Sequence, residues 1–249
     1  MRQVYENYTE EDQKVWQLLF DRQLKNLPKQ ATHTFMEGLG AVNFVRDAIP
    51  NVDKINEILY GLTGWKLSVV PGIVPDYTFF ELMSNRHFPA TTWLRKMEEL
   101  DYLEEPDMFH DIFAHVPILS NQHFVDFLEG FSKIALPYCG QEWAIELLSR
   151  VYWFSVEFGL IRENENLRIY GAGILSSKAE CAFSLSEVPP KYDFDVPTMM
   201  ATPYKKDRFQ DRYFVIDSYK QLYESLDQIQ DVVKQRANEE IDMPIKEKP

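Results

Sequence analysis

The sequence predicts a mainly α fold with short β strands, an α+β arrangement in one compact domain. Apolar residues recur at helical spacing over much of the 249-residue chain. The β-like runs are short and bracketed by proline and glycine. No internal repeat or low-complexity linker divides the chain. Thr9-Glu10-Glu11-Asp12 places a hydroxyl ahead of acidic residues, and Val15, Trp16, Leu19, Leu24 and Leu27 follow at helical spacing up to Pro28. Two helices are expected next, over about 31–47 ahead of Pro50 and over 52–62, where Val52, Ile55, Ile58, Leu59 and Leu62 share one side; Gly61 and Gly64 end that region. Residues 65–70, Trp-Lys-Leu-Ser-Val-Val, form a β-like run closed by Pro71-Gly72, and Pro75-Asp76 is a second turn signal. A helix at about 77–86 leads into an extended stretch over 88–95. Another helix starts at Glu105-Pro106-Asp107, because proline is tolerated at the first helical position, and stops at Pro117. Helices over about 121–135 and 141–161 carry the densest aromatic patterning. Residues 168–173 read as a strand entering a Gly-rich turn, 212–216 as a strand and 218–236 as a helix. The expected organisation is a single domain over 1–236 and a flexible polar tail over 237–249, with too few heptads for an oligomerising coiled coil and hence a monomer.

Composition narrows the function classes. The chain has 26 Lys+Arg against 39 Asp+Glu, a net charge of −13, so its surface repels phosphate backbones and anionic headgroups; nucleic acid and membranes are not expected partners. Cys139 and Cys181 are too few for a disulfide framework or a Cys-rich zinc site, which suits a reducing compartment. The start of the chain lacks a basic stretch followed by an apolar one, and no 18 uncharged apolar residues run together, so a cytoplasmic protein is expected. The many aromatics suit a heavy core or a pocket for a flat ligand, and composition alone leaves both open.

Two segments carry candidate chemistry. In Pro106-Asp107-Met108-Phe109-His110-Asp111-Ile112-Phe113-Ala114-His115-Val116-Pro117, two imidazoles stand five residues apart in an apolar stretch. On a regular helix such positions diverge by roughly 140°, so both rings reach one metal only if His115 is displaced. Pro117 supplies a reason, because the residue before a proline is pushed out of helical geometry and the last turn can open near His115-Val116. The zinc-protease spacing H-E-x-x-H is absent from this segment. The alternative is a pair of satisfied core histidines. In Val151-Tyr152-Trp153-Phe154-Ser155-Val156-Glu157-Phe158-Gly159-Leu160-Ile161, Glu157 is the one carboxylate. Buried alone it would cost several kcal/mol, so it needs an ion-pair partner, for which Arg150 is the candidate, or a metal. Two histidines and one carboxylate make up the facial triad of non-haem iron(II), which leaves positions open for dioxygen and water.

The strings EEPDMFHDIFAHVP, YWFSVEFGLI and IYGAGILSSKAE, in this order, resemble the pterin-dependent aromatic amino acid hydroxylases, and LTGW, VPGIVPDYTFFELMSNRHFPATTWLR and RYFVIDSYKQL extend the resemblance over roughly residues 8–230. The chain looks most like the short bacterial members that act on phenylalanine; the animal enzymes add a regulatory domain and a tetramerisation helix, for which no room is expected here. The resemblance implies that His110, His115 and Glu157 hold one Fe(II) and are the catalytic centre. It implies a tetrahydrobiopterin, or another tetrahydropterin, hydrogen-bonded by the backbone of Gly72, Ile73 and Val74, stacked on Phe79 and approached through water by Asp111. Arg95 would clamp the substrate α-carboxylate, with Asp107 holding it in place. Pro106, Trp153 and Phe158 would line the aromatic slot, Gly173 and Ser176 would close its far side, and Glu180 would support Ser176. The implied reaction converts L-phenylalanine to L-tyrosine with dioxygen, through a ferryl oxidant and a 4a-hydroxypterin co-product that other enzymes recycle. Arg95→Ala is expected mainly to weaken substrate binding.

Leu103 and Glu104 depart from the Thr-Pro pair of the animal phenylalanine enzymes, which puts one polar contact to the substrate in question. Without the resemblance, Gly72 to Val74 would read as a plain turn, Phe79 as core and Arg95 as a surface residue. The rival functions are the same chemistry on tryptophan or a related ring, a zinc hydrolase using the same three ligands, and a non-catalytic binding module.

Overall fold

A computed structural model describes residues 1–241 apart from 102, 104 and 207. Glu104 and the tail residues 242–249 therefore lie outside the described residues. The chain opens with α1 (Glu10–Leu24), whose start is a capping box: the Thr9 hydroxyl accepts from the Asp12 N–H, and the Asp12 carboxylate accepts from the Thr9 N–H at 2.7 Å. α2 (Leu27–Gln30) and α3 (His33–Ala41) follow. α3 ends six residues short of the expected limit, because the chain turns left-handed at Asn43 (φ 56°) and Val45 bridges Ala48. α4 (Val52–Thr63) ends at Gly64, whose φ of 77° is the left-handed cap that glycine supplies without strain. β1 (Lys66–Val69) pairs in parallel with β2 (His87–Ala90), and α5 (Asp76–Ser84) crosses between them.

The segment expected as one helix from 105 to 117 is built differently. Pro106 and Asp107 precede the helical turn instead of starting it, and Phe109–Ala114 is a π-turn. His115 keeps right-handed helical dihedrals (φ −87°, ψ −43°), so Pro117 does not displace it; Pro117 lies inside the following 3-10 turn, Val116–Ser120. α6 (Gln122–Ala135) and α7 (Glu142–Tyr152) come next. α7 stops nine residues before the expected end and passes into a second π-turn, Trp153–Glu157.

Leu160 and Ile161, expected as helix, belong to β3 (Leu160–Glu163). β3 turns back on β4 (Asn166–Ile169) through Asn164 and Glu165, both at positive φ (48° and 66°), the two-residue geometry that matches strand twist. α8 (Ala172–Leu175), α9 (Lys178–Leu185), β5 (Lys191–Asp193) and α10 (Val196–Ala201) lead to β6 (Tyr213–Ile216). β6 lies parallel to both β3 and β5, giving the sheet order β4-β3-β6-β5. The helix expected over 218–236 is two, α11 (Tyr219–Glu224) and α12 (Leu226–Ile241), and α12 runs five residues into the segment expected as a tail.

The core lies around the first π-turn. Phe109 and Phe113 stack at 4.4 Å on its inner side, and Trp16, Phe20 and Phe35 meet Phe113 edge-on at 5.8 to 6.3 Å. This aromatic bed fixes the π-turn from behind. Gly38 of α3 lets the next turn approach, since a Cβ there would lie 2.0 Å from the Pro117 carbonyl oxygen. No described helix is long and apolar enough to cross a membrane.

Candidate active site

Both candidate metal-binding segments are π-turns, and that explains how residues five apart come to share a face. A π-turn closes its hydrogen bond over five residues, so i and i+5 stand one above the other. In the first turn these are His110 and His115, with ring centroids 5.0 Å apart. In the second they are Trp153 and Phe158, stacked at 4.8 Å, and the Phe158 N–H donates to the Trp153 carbonyl at 2.8 Å. The divergence expected of a regular helix disappears through a widened turn, not through an opened end.

The widened turns aim three donor atoms at one point. His115 Nε2 lies 3.3 Å from His110 Nε2 and 3.3 Å from Glu157 Oε1, and His110 Nε2 lies 3.5 Å from Glu157 Oε2. Among the described residues this is the one group of three or more His, Cys, Asp or Glu side chains that could hold a metal ion. Ser176 sets the tautomer of His110. Its hydroxyl donates to the Ala172 carbonyl at 2.9 Å, so it accepts from His110 Nδ1–H at 3.0 Å, which leaves the Nε2 lone pair on the inner side. Burial alone would raise the Glu157 carboxyl, but His115 and His110 outweigh it and hold the group well below the ordinary carboxylate range. Burial likewise opposes protonation of His110, and Glu157 with Asp111 and Asp107 reverses the balance and raises it. Arg150 is not the partner of Glu157; it pairs with Glu146 and donates to the Met200 carbonyl at 2.7 Å.

Close backbone contact holds Glu157 in place. A Cβ on Gly171 would lie 2.4 Å from the Glu157 carbonyl oxygen, and one on Gly159 would lie 2.1 Å from the Tyr170 ring. Gly173 serves the neighbouring ring, since a Cβ there would lie 2.8 Å from Phe158 Cζ. The glycines of the turn after β4 thus admit the end of the second π-turn.

Arg95 is buried, not a surface residue. Its Nε and backbone N–H donate to Asp107 Oδ2 at 2.9 and 3.0 Å, and Nη2 donates to Oδ1 at 2.9 Å. Asp107 Oδ1 also accepts from the His110 N–H at 3.1 Å, so one fully buried carboxylate ties Arg95 to the first π-turn. The Nη1/Nη2 edge of the guanidinium has no side-chain acceptor among the described residues and remains a fork for a carboxylate. Asp111 is turned to Thr91, whose N–H and hydroxyl donate to Oδ2 at 2.7 and 2.8 Å; its carboxyl is raised by burial, against the pull of His110 and Thr91. Phe79 is half-buried and meets Tyr152 edge-on at 5.5 Å, and the Tyr152 hydroxyl is raised well above its ordinary value by burial, then by Glu157 and Asp111. Ile73 is exposed, Val74 and Pro106 are half-buried, and a Cβ on Gly72 would meet only a Glu105 carboxylate oxygen at 3.9 Å.

Comparison with known proteins places this arrangement. The family model for biopterin-dependent aromatic amino acid hydroxylases matches residues 3–243. The chain belongs to that family. It is 46% identical to the phenylalanine-4-hydroxylase of Ralstonia nicotianae over 226 residues, which are 90% of this chain and 72% of that one. It is 47% identical to the phenylalanine-4-hydroxylase of Chromobacterium violaceum, again over 90% of this chain and 75% of the relative. The crystal structure of Chromobacterium violaceum phenylalanine hydroxylase with iron(III) and 7,8-dihydrobiopterin superposes with a TM-score of 0.90 at 44% identity, covering 96% of this chain and 86% of that one.

The donor set fits the metal expected of an aromatic amino acid hydroxylase. Two imidazole nitrogens and a carboxylate facing one another are complementary to a cation between them, and this donor set is the one iron(II) oxygenases use. Phe79 stands edge-on to both Phe80 and Tyr152, at 5.3 and 5.5 Å. Glu180, expected to support Ser176, instead accepts from the Tyr213 hydroxyl and from the Gln210 N–H at 3.3 Å. Sequence reasoning missed Thr91, Tyr204 and Gln210. The Thr91-Thr92 pair beside the extended segment was a readable signal for a side-chain clamp, whereas nothing local in Tyr204 or Gln210 marks their distant partner Trp153.

Proposed function

We propose that this hydroxylase uses iron(II), a tetrahydropterin and dioxygen to convert L-phenylalanine to L-tyrosine. The observation that carries the reading is the convergence of His110 Nε2, His115 Nε2 and Glu157 on one point, one π-turn from the Trp153–Phe158 stack. The names and bound groups of the Ralstonia and Chromobacterium relatives support it. His110, His115 and Glu157 would hold the iron, which with the pterin supplies dioxygen activation when bound.

The chain's own part is positional. Arg95 fixes the amino-acid end of the substrate through the fork left free by Asp107. Trp153, Phe158 and Pro106 flank its ring, and Gly173, by admitting Phe158, sets the width of that slot. Gly72, Ile73, Val74 and Phe79 receive the pterin. Asp111, held by Thr91, fixes the first π-turn and would reach the pterin through water. Ser176 keeps the His110 lone pair turned inward, and the buried floor around His115 limits water. No side chain acts as a nucleophile. The organisation we propose is one catalytic domain over 1–236, monomeric and cytoplasmic, with the oxidised pterin recycled by separate enzymes.

The test is turnover with iron(II), oxygen and tetrahydrobiopterin, offering phenylalanine and tryptophan separately and identifying products by mass and chromatography. Para-tyrosine formed only with both iron and pterin is the expected result. A product from tryptophan alone would move the substrate, and pterin-independent hydrolysis by a zinc-loaded protein would overturn the reading.

A further inference from the structure

Besides Phe158, the indole of Trp153 is held by two groups that the reaction described above does not use, Tyr204 and Gln210. Two near-parallel rings stack on it, Phe158 at 4.8 Å and Tyr204 at 4.4 Å. Its N–H donates to Gln210 Oε1 at 2.9 Å. Gln210 is buried, at 2% exposure, in a stretch joining α10 to β6. The orientation of its amide is fixed, because Nε2 donates to the Lys205 carbonyl at 2.7 Å and reaches the Arg208 carbonyl at 3.4 Å. A flipped amide would set Oε1 against those carbonyls and NH2 against the indole N–H. The backbone is anchored too: the Gln210 N–H donates to Glu180 Oε1 at 3.3 Å, and the Tyr213 hydroxyl donates to the same oxygen.

Stacking tolerates sliding and in-plane rotation, since offset arrangements of aromatic rings differ little in energy. The N–H···O bond is directional. Of the three contacts on the indole, it alone specifies which edge of the ring faces the cleft. We infer that Gln210, anchored by Glu180, is a positioning residue that sets the in-plane rotation of Trp153 and thereby the ring selectivity of the substrate slot. The inference rests on the reading of Trp153 as a wall of that slot. It explains why a glutamate, a glutamine and a tyrosine are buried together behind a half-buried tryptophan: the Glu180 carboxylate holds the backbone of the residue whose side chain holds the indole.

The test is a cycle of Gln210→Met, Trp153→Phe and the double variant, all as iron-loaded full chain. Methionine keeps the shape and the backbone bond to Glu180 and deletes the acceptor together with the Nε2 donor to the Lys205 and Arg208 carbonyls, a loss common to both backgrounds; phenylalanine at 153 needs no acceptor. The readouts are KM and kcat for L-phenylalanine, tyrosine formed per tetrahydropterin oxidised, the ratio of kcat/KM for L-phenylalanine to that for L-tryptophan, and the thermal midpoint. Gln210→Met is expected to shift the selectivity ratio by about tenfold, the effect of one lost hydrogen bond, to raise KM more than it lowers kcat, and to reduce coupling of pterin oxidation to product. In the Trp153→Phe background the same change should shift selectivity by less than about twofold, since the bond it removes is already gone. An equal shift in both backgrounds, or a lowered thermal midpoint with unchanged selectivity, would overturn the inference and leave Gln210 as a loop anchor. Should Gln210→Met fail to fold, Gln210→Asn withdraws the acceptor by one methylene while keeping the amide, and is read the same way. Calorimetric binding of L-phenylalanine and L-tryptophan gives the ratio without turnover, so a wild type that makes no tyrosine would sink the proposed reaction and still decide the role of Gln210.

Discussion

Gly171→Ala is the most direct test of how the second π-turn holds its carboxylate. The added Cβ would lie 2.4 Å from the Glu157 carbonyl oxygen and 2.5 Å from the Gly159 nitrogen, about 1 Å short of ordinary van der Waals contact in each case. Both neighbours are backbone, so no side-chain rotation relieves the clash, and Glu157 itself or the turn after β4 has to move. Overpacking of this kind costs about 3 kcal/mol, the upper part of its usual range, which lowers the thermal midpoint by about 6–12 °C for a chain of this size. Metal ligands must keep their positions to within about 0.2 Å. A displacement of Glu157 several times larger should weaken metal binding by about 10–100-fold, the usual effect of losing a support of a ligand. Calorimetric titration of the metal-free protein with iron(II) or cobalt(II), alongside melting curves, measures both effects. Gly40→Ala is the control: it is exposed on α3 with nothing within 4 Å of the added Cβ, and it should raise stability by about 0.5–1 kcal/mol without touching metal affinity. A Gly171→Ala protein that binds metal as the wild type does and melts within about 2 °C of it would refute the argument that close backbone approach positions Glu157.

Other substitutions test other parts of the site. His115→Ala and Glu157→Gln should each abolish turnover and reduce metal retained after dialysis to less than about a tenth, as read by elemental analysis; full retention in either would remove that residue from the ligand set. Arg95→Ala strands the fully buried Asp107, so it should cost about 3–5 kcal/mol of stability as well as substrate affinity. That adds a loss of stability to the weakened binding expected as the main effect, and denaturant titration of the variant with unchanged stability would contradict the buried pair. Burial holds the Glu180 carboxyl above its ordinary range, more than Tyr213 and Gln210 lower it. A group so shifted favours the folded state when protonated, so its contribution to stability falls as pH rises from the ordinary carboxylate range through the raised value. Glu180→Gln keeps an acceptor oxygen and removes the ionisation, so it should gain in melting temperature on the wild type as pH rises above the ordinary carboxylate range; a pH-independent difference would show that Glu180 does not ionise in the folded protein.

The sequence by itself determined the elements whose causes are local. The Thr9–Asp12 cap, the apolar side of α4 and its end at Gly64, the short strand after it and the isolated carboxylate Glu157 all follow from neighbours a few residues away. The candidate trio His110, His115 and Glu157 was legible for the same reason: ionisable groups in apolar runs require partners, whatever the fold. The way the trio converges was not legible. A hydrogen bond closed over five residues differs from one closed over four by a single residue of register, and local propensity is nearly blind to that difference. Packing decides it: Phe109 and Phe113 press the first π-turn into an aromatic bed, and Gly171 and Gly173 let the second approach the turn after β4. The burial of Arg95 on Asp107, the turn of Asp111 to Thr91 and the hold of Gln210 on Trp153 join residues 12, 20 and 57 positions apart. Such pairings leave no periodic trace in the sequence, because they arise only when separate elements meet, and so the tertiary structure alone decided them.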